Sequence, residues 1–286
     1  MTVEPGRALI GVDELAGAVR GATPPVLLDV RWQVGLPPQR ADYLAAHIPG
    51  ARWCDLDADL ADPPGAAGRH PLPDPARLQA AVRRWGIRQD SWIVTYDGAA
   101  GVAAARAWWV LRWAGLSRVT VLDGGLAAWQ AAGHPIESAE PSPDPGDAVV
   151  QPDSVPVLDA GEAAALAAAG RLVDVRAPER FLGEHEPIDP VAGHIPGAVN
   201  LPSTGNVDGS GHFLGPEELR RRFAALHQDG TTPTDGAVPI GLYCGSGVTA
   251  AHTALALAHA GMAARVYPGS WSEWIADPGR PVATGP

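Results

Sequence analysis

The sequence contains no lysine, because all 21 of its basic residues are arginine. Schiff-base chemistry, a phosphate-loop lysine and a lysine nucleophile are therefore excluded. Cysteine is nearly as scarce: Cys54 and Cys244 lie too far apart in sequence to form a metal-ligand spacing or a disulfide framework. No run of about 18 uncharged apolar residues suggests a membrane span. Met1 to Gly21 carries Glu4, Arg7, Asp13 and Glu14 where a secretory leader needs an unbroken apolar core. The expected compartment is cytoplasmic. Positive charge is also short, with a net charge of -11 and no basic block beyond Arg220 to Arg222. Neither nucleic acid nor an anionic membrane is expected as a partner, and any anion site must be a local pocket. What is present suits folded domains: 286 residues, 46% hydrophobic, 34 Gly and 29 Pro, enough chain for two domains.

The chain is written twice. Val26-Leu-Leu-Asp-Val-Arg31 is answered by Leu172-Val-Asp-Val-Arg176, and His47-Ile-Pro-Gly-Ala51 by His194-Ile-Pro-Gly-Ala198. Trp92 to Tyr96 recurs as Pro239 to Tyr243, and Gly124 to Trp129 as Gly269 to Trp274. The spacing from His47 to Asp97 is 50 residues, as is that from His194 to Cys244. This predicts one domain over 1–135, a Pro-rich linker over 136–156 and a second domain over 157–286. In each copy short apolar runs (Val26 to Val30, Ile93 to Tyr96, Val119 to Leu122) alternate with helical patterns (Leu78 to Trp85, Ala103 to Ala114). The expected fold class is α/β, each domain a mainly parallel sheet covered by helices on both faces. Sites in such folds form at the carboxyl ends of strands, where Asp97 and Cys244 stand.

The segment Tyr243-Cys244-Gly-Ser-Gly-Val-Thr-Ala250 runs from a strand into a helix expected over Thr249 to Ala260. Gly245 and Gly247 let successive amides turn inward, and the helix start adds its positive end. Such a cradle favours a thiolate at Cys244, the form that acts as a nucleophile. A buried structural cysteine is the plainer alternative. The first copy has Asp97 in place of the cysteine, so it lacks the nucleophile. Features common to both copies, the Asp-Val-Arg triplets and the paired His47 and His194, are read as fold determinants. Arg180 is an exception, since its counterpart at the repeat offset is Gly35; it is a candidate anion binder.

These motifs together resemble the two-domain rhodanese and 3-mercaptopyruvate sulfurtransferase family over essentially the whole chain. The resemblance rests on the Asp-x-Arg strand end, the turn from Gly193 to Ala198, the Cys244 loop and the segment from Gly269 to Trp274. It implies tandem rhodanese-like domains with a catalytically silent first half, and transfer of a sulfane sulfur through a persulfide on Cys244. It implies no metal or organic cofactor. On the resemblance, the amides of Gly245, Gly247, Val248 and Thr249 stabilise the persulfide, and Arg180 holds a small anionic sulfur donor. A thiol, thioredoxin or cyanide then accepts the sulfur. Ser246, His70 and Asp57 match positions proposed to relay a proton in the mercaptopyruvate enzymes; otherwise Ser246 only fits a tight loop and His70 a surface turn.

The donor stays open between 3-mercaptopyruvate and thiosulfate. Thiosulfate enzymes of the family tend to place basic residues directly after the cysteine, where this chain has Gly245 and Ser246. Mercaptopyruvate enzymes usually have a second arginine nine residues after the first, where this chain has Asp189, and an aromatic where it has Val102. One charged hydrogen bond fewer is worth about 1 to 3 kcal/mol. A cysteine phosphatase or arsenate reductase needs an arginine six residues after the cysteine, and that position is Ala250. A cysteine hydrolase using His252 or His259 finds both on the helix after the loop. A binding module or thiol sensor that does not turn over is the alternative from outside the enzymes. Cys54 reads as a small core residue, and the Trp residues, among them Trp108, Trp109, Trp113 and Trp129, as helix-to-sheet packing.

Overall fold

In the computed structural model, residues 7–226 and 240–286 are described. The chain divides into two compact units. The first comprises residues 1–62, 73–155 and 209–213, and the second residues 63–72, 156–208 and 214–286.

The first unit holds five strands, β1 (Leu9–Ile10), β2 (Val26–Asp29), β3 (Arg52–Trp53), β4 (Ile93–Tyr96) and β5 (Val119–Leu122). They pair in the order β1-β5-β4-β2-β3, every ladder parallel. β2, β4 and β5 are buried at every position, as a sheet with both faces covered requires. Leu15 and Ala16 of the helix Val12–Val19 and Leu126 and Trp129 of the helix Gly125–Ala131 join Leu27, Val94 and Tyr96 in one core. The helix Val102–Trp113 packs on β4 and β5. Trp108, Trp109, Trp113 and Trp129 are all buried, as helix-to-sheet packing requires.

The second unit holds β6 (Leu172–Asp174), β7 (Val199–Asn200), β8 (Ile240–Tyr243) and β9 (Ala264–Val266). Their order is β7-β6-β8-β9, again all parallel. The helix Ala160–Ala168 starts at a capping box in which Asp159 and Glu162 exchange side-chain bonds with each other's amides. Phe181, Ile195, Tyr243, Trp271 and Trp274 fill the core. Both sheets are those of the expected α/β class. Helix limits moved slightly: the pattern over Leu78 to Trp85 extends back to Pro75, because Asp74 accepts from the amides of Ala76 and Arg77 and Pro75 suits the first turn.

The repeated motifs make the same bonds in each unit. Arg31 and Arg176 each fork onto the aspartate two residues earlier, Asp29 and Asp174, and each also bonds the carbonyl just before its histidine, that of Ala46 or Gly193. Tyr96 and Tyr243 each accept from the amide after that histidine, at 3.1 Å in both units. His47 stacks on Tyr43 and His194 on Phe181. Buried charges must be paired, and here the pairing fastens the strand end to the neighbouring turn, the role of a fold determinant. The Pro-rich stretch after Pro135 is laced to the first unit: the amides of Gly146 and Ala148 donate to Arg83 and Ile87 carbonyls.

Candidate active site

β8 delivers Cys244 at its carboxyl end, and the helix Val248–His259 begins four residues later. The turn between them depends on Gly247, which caps the helix at φ 81°, a left-handed conformation that other residues adopt only with strain. That turn directs the Gly247 N–H onto Cys244 Sγ at 3.1 Å. Val248 and Thr249 open the helix, where amides have no intrahelical acceptor and the dipole is positive. Cys244, Gly245, Ser246 and Gly247 are all buried.

The loop is held from behind by the short helix Ser270–Trp274. The amides of Trp271 and Ser272 donate to the carbonyls of Cys244 and Gly245 at 3.0 and 2.9 Å. Ser270 Oγ accepts from the Cys244 amide at 3.2 Å and donates to the Tyr267 carbonyl at 2.9 Å. Ser270 reaches this position at φ 53°, unusual for a residue with a side chain.

His70 lies in the segment 63–72 of this unit, and its Nδ1 is 2.7 Å from Ser246 Oγ. Two of the three expected relay residues therefore meet. Asp57 belongs to the first unit; it stands on the short helix Leu56–Asp59, and its Oδ1 accepts from Trp32 Nε1 at 3.2 Å. Arg180 sits at the end of a one-turn helix, Pro178–Phe181, where Glu186 accepts from its Nε at 2.9 Å and Asp189 from its Nη2 at 3.0 Å. Burial works to raise the pKa of Glu186, but the bonds from Arg180 and from the amides of Asp189 and Ile188 outweigh it and hold the carboxyl below its ordinary value. Burial raises that of Asp189, which two arginines oppose.

One residue at the site carries no signal in the sequence. Arg69 also bonds Asp189, and its amide donates to Ser272 Oγ at 3.0 Å. It has no motif around it, and only the packing of the segment 63–72 brings it here. Cys54 is a core residue: it is fully buried, and burial pushes its thiol pKa well up, the opposite of an activated cysteine. Of the helix histidines, His252 is buried and His259 half-buried. Among the described residues, no group of three or more His, Cys, Asp or Glu could hold a metal ion, and no helix is long and apolar enough to cross a membrane.

A duplicated parallel α/β unit with a cysteine at the head of a strand defines a class, and comparison with known proteins agrees. Residues 12–132 and 159–277 each match the rhodanese-like domain model; the chain belongs to that family. It is 51% identical over 94% of its length to a Pseudomonas aeruginosa protein named a probable 3-mercaptopyruvate sulfurtransferase, covering 95% of that protein. It is 47% identical to a Mycobacterium tuberculosis protein provisionally named thiosulfate sulfurtransferase SseB, with 98% of each chain covered. The crystal structure of SseA from Escherichia coli, a 3-mercaptopyruvate sulfotransferase of the rhodanese fold, superposes with a TM-score of 0.78 at 31% identity, over 93% of this chain and 99% of that one. The chain is a sulfurtransferase.

Proposed function

We propose that the enzyme carries a sulfane sulfur from 3-mercaptopyruvate, with thiosulfate as its second donor, to a thiol acceptor through a persulfide on Cys244. The observation that supports this reading is the Gly247 amide directed at Cys244 Sγ, 3.1 Å away, at the start of a helix. An anion on this sulfur, thiolate or persulfide, meets an oriented N–H and a positive dipole.

The thiolate attacks the donor sulfur, forming an S–S bond while the C–S bond breaks. The electron pair goes to carbon as the pyruvate enolate, which takes a proton from Ser246 Oγ as His70 Nδ1 resupplies the hydroxyl. The proton lost by the donor thiol balances the one gained by the enolate, so His70 ends as it began. Arg180 binds the donor carboxylate, and the amides of Gly245, Gly247, Val248 and Thr249 surround the persulfide. An acceptor thiolate, from a small thiol or thioredoxin, then attacks the outer sulfur and releases Cys244; cyanide serves in the same way. The reducing cytoplasm suits a free catalytic thiol. With thiosulfate the S–S bond breaks instead and sulfite leaves with the electron pair, so no carbon needs a proton.

Intact-mass spectrometry tests this directly. After incubation with either donor the protein should gain one sulfur, about 32 Da, removable by reductant, and Cys244→Ser should gain none, since the thiolate is the attacking group. No gain with either donor would leave a binding module or thiol sensor. Ser246→Ala and His70→Gln should slow loading from mercaptopyruvate while sparing thiosulfate; equal slowing with both donors would remove the relay. Asp57→Asn tests the third relay member, which rests on the sequence resemblance.

A further inference from the structure

The geometry points to Arg69 as the second cation of the donor site, with Asp189 as the fixed counter-ion that aligns it beside Arg180. This inference rests on the sulfurtransferase reading above. A methyl group placed on Gly245 would lie 2.7 Å from Arg69 Nη2 and 3.5 and 3.7 Å from Arg180 Nη2 and Nη1. Both guanidinium groups therefore lie over the residue next to the nucleophile, in the space a side chain at position 245 would fill.

The bonds of each arginine show which end is committed. Arg69 Nη1 bonds Asp189, and Arg180 spends Nε and Nη2 on Glu186 and Asp189. Arg69 Nη2 and Arg180 Nη1 have no acceptor among the described residues, and Arg69 Nε is buried without one. The side chain of Asp189 is 3% exposed, against 26% and 15% for Arg69 and Arg180. A ligand thus meets the guanidinium ends with the carboxylate beneath them. Two guanidinium ends facing one spot suit a two-oxygen anionic head, a carboxylate or a sulfonate-like group. Asp189, bonded to both arginines, offsets part of their charge, so it limits the affinity for that head while setting its position.

The test is steady-state kinetics of the full chain with each donor, together with a separate measurement of the acceptor half-reaction on persulfide-loaded enzyme with an uncharged thiol. Arg69→Ala should raise KM for both donors about tenfold or more, as loss of a charged hydrogen bond does, with kcat within about threefold. Sulfite, as a competing anion, should weaken in parallel. Arg69→Lys should recover part of the loss, and Asp189→Asn should lower KM. Loss of persulfide to the uncharged thiol should be unchanged in Arg69→Ala, whereas a merely structural role would slow both halves. KM within twofold of the parent, or equal slowing of both half-reactions, overturns the assignment. If the parent enzyme itself fails to load sulfur, the sulfurtransferase reading fails instead; should Arg69→Ala not fold, the Arg69→Lys and Asp189→Asn pair decides.

Discussion

The loops after β4 and β8 occupy the same place in their units and share a frame. Gly101 and Gly247 cap the following helices at φ 80° and 81°. Leu126 and Ala127 donate to the Asp97 and Gly98 carbonyls just as Trp271 and Ser272 donate to those of Cys244 and Gly245. What fills the frame differs. The Asp97 carboxylate accepts four amides, from Ala99, Gly101, Ala103 and Ala104, while Cys244 Sγ accepts that of Gly247. The silent loop is also one residue longer between the strand and its capping glycine. A strand, loop and helix start of this kind make an anion cradle in both halves. Filled by its own side chain the cradle is structural, and left to a sulfur it is chemical.

Exchanging the occupants should give the largest effects. Cys244→Ala should abolish sulfur transfer and leave the unfolding midpoint nearly unchanged. Asp97→Ala should destabilise the first unit by about 3 kcal/mol, because four buried donors lose their acceptor, and denaturant unfolding measures it. The frame comes next. Gly125 and Ser270 occupy equivalent positions at φ 57° and 53°, but a Cβ on Gly125 would lie 2.6 Å from the Asp97 carbonyl oxygen. Gly125→Ala should cost about 2 kcal/mol through strain and overpacking. The capping glycines should follow at about 1 kcal/mol each when changed to alanine. Gly101→Ala should leave sulfur transfer intact and Gly247→Ala should impair it, which assays alongside thermal melts would separate.

The smallest effect is on pH. Burial raises the Asp97 pKa above its ordinary 3.8, although the four amides limit the rise. The proton-linked part of its contribution is fully present below 3.8 and is lost as pH rises through the folded value, while the four amide bonds persist. Glu186, held below its ordinary 4.5, contributes above that value and loses its share as pH falls through the folded one. Melting temperatures against pH should flatten in opposite directions for Asp97→Asn and Glu186→Gln.

Much of this comparison is legible in the sequence, because a repeat written twice exposes both its periodicity and its exceptions. The strands at Val26, Ile93 and Val119, the Cys244 loop and the unmatched Arg180 all stand out from pattern alone. Ser246 and His70 come from the resemblance, and the structure puts them in contact. Arg69 is not legible, since its place depends on residues 63–72 packing with the second unit rather than with their sequence neighbours. The backbone bonds from Trp271 and Ser272 escape as well: the segment from Gly269 to Trp274 is visible as a motif, but a main-chain donor has no letter of its own. The position nine residues after Arg180 reads as an aspartate in the sequence, but that Asp189 bonds Arg69, from elsewhere in the chain, is visible only in the structure.

The bonds that join Ser270, Trp271 and Ser272 to the Cys244 loop have a consequence for time rather than for structure. Amides in an isolated five-residue helix ordinarily exchange with solvent quickly, by fraying. Those of Trp271 and Ser272 are spent on the carbonyls of Cys244 and Gly245, so they can exchange only when the reactive loop opens. In deuterated buffer their protons should therefore outlast those of Asp277 and Gly279 by orders of magnitude and leave at the pace of the central strand β8. The slowest clock in the segment from Ser270 to Gly279 would then report the opening of the loop that holds the sulfur.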